Sequence, residues 1–306
     1  MRRAIAAWAG AFVLLTAVFE LFPGIDLWAA GLFYRAGEGF YLSQSWPAQA
    51  SYRAVPYLTD AVVIGVPAFY MLSLLRRAAP WRIDGRVAAY LLLALALGPG
   101  LMVNTALKDH WGRARPTQVT EFGGTQRFTP APVPADQCAR NCSFPAGHPA
   151  IAFYLVSFAF LVRGPRRRRG AIAGAMAAGV LAGIGRMAQG GHFLSDVVFS
   201  GLLVLATSWL LYRAIVVDRR FGARLFDRPV RSWLALAGLG VLLAIALSIA
   251  FVDRPLAWFF RNHGQALHDP FQFITQFGLG KGYIAIAGAL FIGLRLAALI
   301  AQSGLA

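Results

Sequence analysis

Charge is what this chain has least of. Only 14% of its 306 residues are Asp, Glu, Lys or Arg, where a soluble domain carries about a quarter, and that shortage excludes an ordinary soluble protein. Acidic residues are scarcest, 13 against 29 Lys and Arg, for a formal net charge of +16. The arginines gather in short loops between apolar runs, as in cytoplasmic loops of membrane proteins, so their expected partners are anionic phospholipid headgroups and not nucleic acid. Cysteine is nearly absent. Cys138 and Cys142, four residues apart in a polar loop, either close a small disulfide in an oxidising compartment or remain free thiols, and two cysteines do not complete a tetrahedral metal set. No His-x-x-x-His pattern and no second acidic cluster supplement them, so neither a metal nor another cofactor is expected.

Apolar sequence is what the chain has in abundance, at 58% of residues. Eight runs approach or reach the roughly 20 residues a helix needs to cross a bilayer: 4–22, 57–75, 87–107, 148–163, 170–187, 192–213, 232–252 and 278–299. Lipid offers the backbone no hydrogen-bond partner, so such runs are helical. The expected fold is all-α, a polytopic membrane helix bundle of about eight transmembrane helices in one membrane domain over residues 1–306. The first run follows Met1-Arg2-Arg3 as in a signal peptide, yet lacks a small-residue cleavage pattern and reads as an uncleaved span. Two shorter aromatic stretches, 25–34 and 253–260, suit interfacial helices on the outer side.

Arginine placement sets the orientation. The N-terminus and loops 76–86, 163–169 and 213–231 carry the basic clusters, and all fall on the cytoplasmic side if both termini are cytoplasmic. Loops 23–56, 108–147, 188–191 and 253–277 then face outward.

Three polar stretches lie at those outer ends. Lys108 and Arg115 in Lys108-Asp-His-Trp-Gly-Arg-Ala-Arg115-Pro116 are two helical turns apart, so a continued third span would put both on one face. Such a pair either converges on an anion or anchors a helix end at the headgroups. Gly147-His148 opens the fourth span, where unpaired N–H groups attract anions and the imidazole can donate a proton. His192 and Asp196 share a helical face, so that Asp196 can hydrogen-bond one imidazole nitrogen and leave the other free to attack. Arg186 adds a guanidinium fork suited to phosphate oxygens. Three cations, two imidazoles and a carboxylate are what holding and attacking a phosphate requires.

With these spacings (Lys, six residues, Arg-Pro; Pro-x-Gly-His; Arg, five residues, His, three residues, Asp) the chain resembles the type 2 phosphatidic acid phosphatase family, whose signature is shared with vanadium haloperoxidases. The resemblance covers about residues 57–213, the expected catalytic core, and leaves 232–306 as an additional C-terminal membrane hairpin. It implies that His192 is a nucleophile forming a phosphohistidine, that Asp196 orients it, and that His148 protonates the leaving lipid oxygen. Lys108, Arg115, Arg186 and the Gly147 N–H would hold the phosphoryl oxygens, without a metal. The chain departs from the family where Ala146 and Gly185 replace serines, and losing a donor to a charged group costs about 1.5–3 kcal/mol.

The implied substrate is a phosphorylated membrane lipid, met at the periplasmic face of a bacterial inner membrane. The long outer loop 108–147 favours a bulky glycolipid such as lipid A, ahead of undecaprenyl diphosphate or phosphatidylglycerophosphate. A lipid phosphotransferase using the same intermediate and a non-catalytic lipid-binding or transport protein are the alternatives.

Overall fold

The structure is a computed structural model that describes residues 2–75 and 83–218 and the isolated positions 238, 240 and 293. The expected spans 232–252 and 278–299, the hairpin they form and the aromatic stretch 253–260 lie outside the described residues. The regular secondary structure of the described chain is helical except for one small antiparallel pair, β1 (Tyr34–Arg35) and β2 (Gly39–Phe40). Its helices are α1 (Arg2–Leu21), α2 (Gly24–Gly31), α3 (Trp46–Leu75), α4 (Gly85–Leu95), α5 (Gly147–Phe153), α6 (Val156–Leu161), α7 (Pro165–Ala188) and α8 (Leu194–Leu211). Among the described residues, five helical stretches are long and apolar enough to cross a membrane: α1, α3, α4 continued to Leu107, α7, and α8 continued to Val217. This is an all-α polytopic membrane bundle.

The chain divides into two units, and every residue of the three polar stretches falls in the first, Met1–Val55 with Leu97–Leu210. Small residues let its helices approach closely. The Phe153 ring of α5 lies where a side chain on Gly179 of α7 would have to go, and within 3.1 Å of a Cβ placed on Gly201 of α8. Val197 of α8 likewise fills the space above Gly183 of α7. Phe19, Phe144 and Phe199 form an aromatic core with Ala131, and Phe12 of α1 meets Phe199 edge-on at 5.4 Å. The second unit, Pro56–Ala96 with Leu211–Ala306, contains α4, whose N-terminus is capped by Asp84 accepting from the Val87 N–H at 2.8 Å. Within it Arg86 donates to the Ile215 carbonyl at 3.1 Å.

Three spans differ from expectation, and the one expected over 148–163 is interrupted at Tyr154 and Leu155, which divide it into α5 and α6. α3 begins at Trp46 and not at residue 57. Its first turns are polar, which hides them from an apolar count, but Pro47 favours a helix start and Gln49 donates to the Ser43 carbonyl at 2.8 Å. Beyond α4 the third span widens into π-helical turns over Ala96–Leu107. Pro99 lacks an N–H and its ring crowds the preceding turn, and the side chains of Asn104 and Thr105 hydrogen-bond the Pro99 and Gly100 carbonyls.

Candidate active site

The π-helical span delivers Lys108 to the first unit, its N–H still bonded five residues back to the Val103 carbonyl at 3.0 Å. The regular helix does not continue to Arg115, so the expected shared helical face does not exist. Residues 108–110 form a turn, and Gly112 at φ +72° passes the Ala135 carbonyl so closely that no side chain fits there. Arg115 is extended, just before a short turn at Pro116–Gln118. Lys108, Arg115 and Arg186 nevertheless act electrostatically on one another: the other two cations both disfavour a charge on Lys108. Tertiary placement brings them together where helix geometry does not.

His192 sits in the tight turn between α7 and α8, fully buried. Its Nδ1 lies 2.7 Å from the Ser143 carbonyl, which can only accept, so Nδ1 carries the proton. Burial first, and then the positive charge of Lys108, push its pKa down to about 3. The ring is therefore neutral at pH 7, and its buried Nε2 holds a lone pair with no hydrogen-bond partner in the protein. A buried nitrogen without a partner is costly and calls for a ligand.

Asp196 was expected to bond the imidazole, and its Oδ2 stands 3.6 Å from Nδ1, farther than the Ser143 carbonyl. Both oxygens are already engaged. Oδ1 accepts from Arg113 at 2.5 Å, while Oδ2 accepts from the Ser143 hydroxyl at 2.5 Å and the Phe193 N–H at 2.8 Å. Asp196 thus fixes Ser143, and the Ser143 carbonyl fixes His192.

Arg113 is the counter-charge that this carboxylate needs. It is fully buried, and besides Asp196 it donates to the Thr129 carbonyl at 2.7 Å, the Ser195 hydroxyl at 2.9 Å and Asp26 at 2.8 Å. Asp26 comes from α2, the helix expected to be merely interfacial. One side of α2 is exposed through Trp28, and the other buries Asp26, which also accepts the Ser195 N–H at 2.8 Å. Sequence reading missed Asp26, Arg113 and Ser143 as supports of the site. The available signal was a carboxylate inside an otherwise apolar stretch.

The other predicted residues converge on the same place. Ala146 is the buried N-cap of α5 with no side-chain cap, which leaves the first N–H groups of that helix uncapped. A side chain on Gly147 would strike Asn104 and stand 3.3 Å from the Lys108 ammonium. His148 feels all three cations, Arg186, Lys108 and Arg115. Gly185, the second departure, is required here because Ser51 of α3 occupies the space of any larger side chain. Arg186 hydrogen-bonds Gln189, which reaches the Ala48 carbonyl at 3.1 Å, while the Arg186 Nε has no partner. Among the described residues no carboxylate forms an ion pair with Lys108, Arg115 or Arg186. Cys138 and Cys142 form a disulfide, and the Asn141 carbonyl inside its loop accepts from Arg115 at 2.6 Å. No group of three or more His, Cys, Asp or Glu side chains is arranged to hold a metal among the described residues.

The profile of the PAP2 superfamily matches residues 87–220. A lipid A 4'-phosphatase of Francisella tularensis subsp. novicida (strain U112) is 37% identical over 203 residues, which cover 63% of this chain and 87% of that protein. Lipid A 4'-phosphatases of Rhizobium leguminosarum and Rhizobium etli are each 34% identical, over 210 and 230 residues, covering 63% and 65% of this chain and 89% and 88% of theirs. No solved structure matches the chain significantly.

Proposed function

Because this chain belongs to the PAP2 superfamily and is a membrane lipid phosphatase, we propose that it removes the 4'-phosphate of lipid A through a phosphohistidine on His192. The observation that carries the mechanism is the buried Nε2 of His192, unpartnered and near cations that have no carboxylate. The relatives' shared activity supports the substrate.

In the first step Nε2 forms a bond to phosphorus while the bond from phosphorus to the lipid oxygen breaks. His148 gives that oxygen its proton. Lys108, Arg115, Arg186 and the Gly147 N–H hold the three remaining oxygens, whose charge they meet without reorganising. In the second step water attacks the phosphorus, His148 takes its proton, the P–N bond breaks and Nε2 regains its lone pair. The fixed cations neutralise phosphate charge with no metal in this scheme. The arginine-rich loops support a periplasmic site in the inner membrane, and an oxidising compartment suits the disulfide.

The test is phosphate release by purified protein in detergent, beside His192→Ala, from lipid A, undecaprenyl diphosphate, phosphatidylglycerophosphate and phosphatidic acid. The expected result is release from lipid A at the 4' position, lost by at least about 10⁴-fold in His192→Ala, and unaffected by EDTA. Normal turnover by His192→Ala would remove the phosphohistidine. A better rate on another lipid would replace the substrate.

A further inference from the structure

Tyr52 lies outside all three polar stretches, yet it touches two of their residues. It sits in the second turn of α3, the part of that helix which extends into the first unit. Its ring stacks on the His148 imidazole with centroids 4.4 Å apart and an interplanar angle of 17°. The Arg186 guanidinium carbon stands 4.8 Å from the centroid of the same ring. The turn that carries Tyr52 is itself fastened to the end of α7, by Ser51 packed over Gly185 and by Gln189 bonded to the Ala48 carbonyl. At 40% exposure the residue also borders the accessible side of the site.

We propose that Tyr52 is a positioning residue whose ring sets the plane of the His148 imidazole and the place of the Arg186 guanidinium. A short helix of seven residues carries His148, and an imidazole at its first turn has several rotamers open to it. Stacking against a ring held by another helix selects one of them, and the cation–π contact holds Arg186 at the same level. The inference rests on the reading of His148 as proton donor, and it adds the side chain that aims this donor.

The experiment compares Tyr52→Leu, Tyr52→Met and Tyr52→Phe with wild type on two esters of different leaving group: the lipid phosphate and p-nitrophenyl phosphate. A p-nitrophenolate leaves without help from a proton, whereas a sugar alkoxide does not. Removing the ring is expected to lower kcat on the lipid phosphate by about tenfold or more, with a clearly smaller drop on p-nitrophenyl phosphate. Tyr52→Phe is expected to recover most of the loss. In a His148→Ala background Tyr52→Leu is expected to lower kcat by clearly less than in wild type, leaving only the part that acts through Arg186, since residues acting as a unit are not additive. Equal losses of kcat on both esters, full additivity with His148→Ala, or no loss in Tyr52→Leu would each overturn the proposal. Should Tyr52→Leu fail to fold, Tyr52→Met supplies the same comparison with a side chain that adapts to irregular space. Failure of the functional reading itself is distinct, because it shows as wild-type release that ignores His192.

Discussion

Arg113 and Arg186 are both buried arginines of one unit, and their surroundings are opposite. Arg113 lies between two carboxylates, Asp26 and Asp196, with a hydroxyl and a carbonyl taking its other donors. Arg186 has a glutamine and an aromatic face, an Nε with no partner, and two more cations within electrostatic reach. The first arrangement is complete within the protein. The second is short of negative charge and becomes balanced only when an anion arrives. In the proposed mechanism that contrast separates the support of the nucleophile from the binding of the phosphate, although motif spacing places both among the same few residues.

Exchanging each arginine for a neutral side chain gives the largest contrast. Arg113→Met leaves Asp26 and Asp196 buried without a counter-charge, so thermal unfolding in detergent is expected to show a loss of about 3–5 kcal/mol. Arg186→Met relieves crowding among cations and is expected to leave the unfolding temperature unchanged or raised, while phosphate release drops by about a hundredfold. Equal destabilisation by both substitutions would erase the distinction.

Lys108 sharpens the comparison through pH. Burial, then Arg115 and Arg186, lower its pKa from 10.5 to about 7. The free site therefore keeps this cation below about pH 7 and loses it above. Plots of kcat/KM against pH are expected to fall on the alkaline side from about pH 7, even though the phosphate ester gains charge there. Lys108→Arg, always protonated, is expected to move that limb upward. For folding the sign is the reverse: between pH 7 and 10.5 the unfolded chain binds more protons, so this residue makes stability rise with pH across that window. A profile unchanged by Lys108→Arg would assign the limb to another group.

The smallest effect belongs to Ala146→Ser. A hydroxyl at this N-cap can cap α5 or donate to the phosphate, and activity is expected to stay level or rise by up to about tenfold. A large loss would mean that the pocket is shaped around the alanine, which is fully buried.

Much of this was legible in the sequence for identifiable reasons. Apolar runs mark spans because lipid admits few alternatives, and α1, α7 and α8 start within a few residues of expectation. Lys108, Arg115, His148, Arg186 and His192 stood out as polar groups at the ends of such runs, and the structure brings them together. The polar first turns of α3 were hidden, and Tyr52 with them, because an aromatic residue near a span end is ordinary in a membrane protein. The helical face shared by Lys108 and Arg115 was an argument from regular geometry that Pro99 and Gly112 break.

By itself the sequence determined the class of molecule and the chemical inventory, since both depend on residue type and on local spacing. Only the tertiary structure decided how those residues are placed: that Asp196 serves Arg113 and Ser143 before the imidazole, that Asp26 of an apolar helix joins them, and that Lys108, Arg115 and Arg186 come together with no carboxylate ion pair among the described residues. The physical reason is that a buried charge is governed by whichever partners reach it. Asp26 and Arg113 are 87 residues apart, and no local rule connects them.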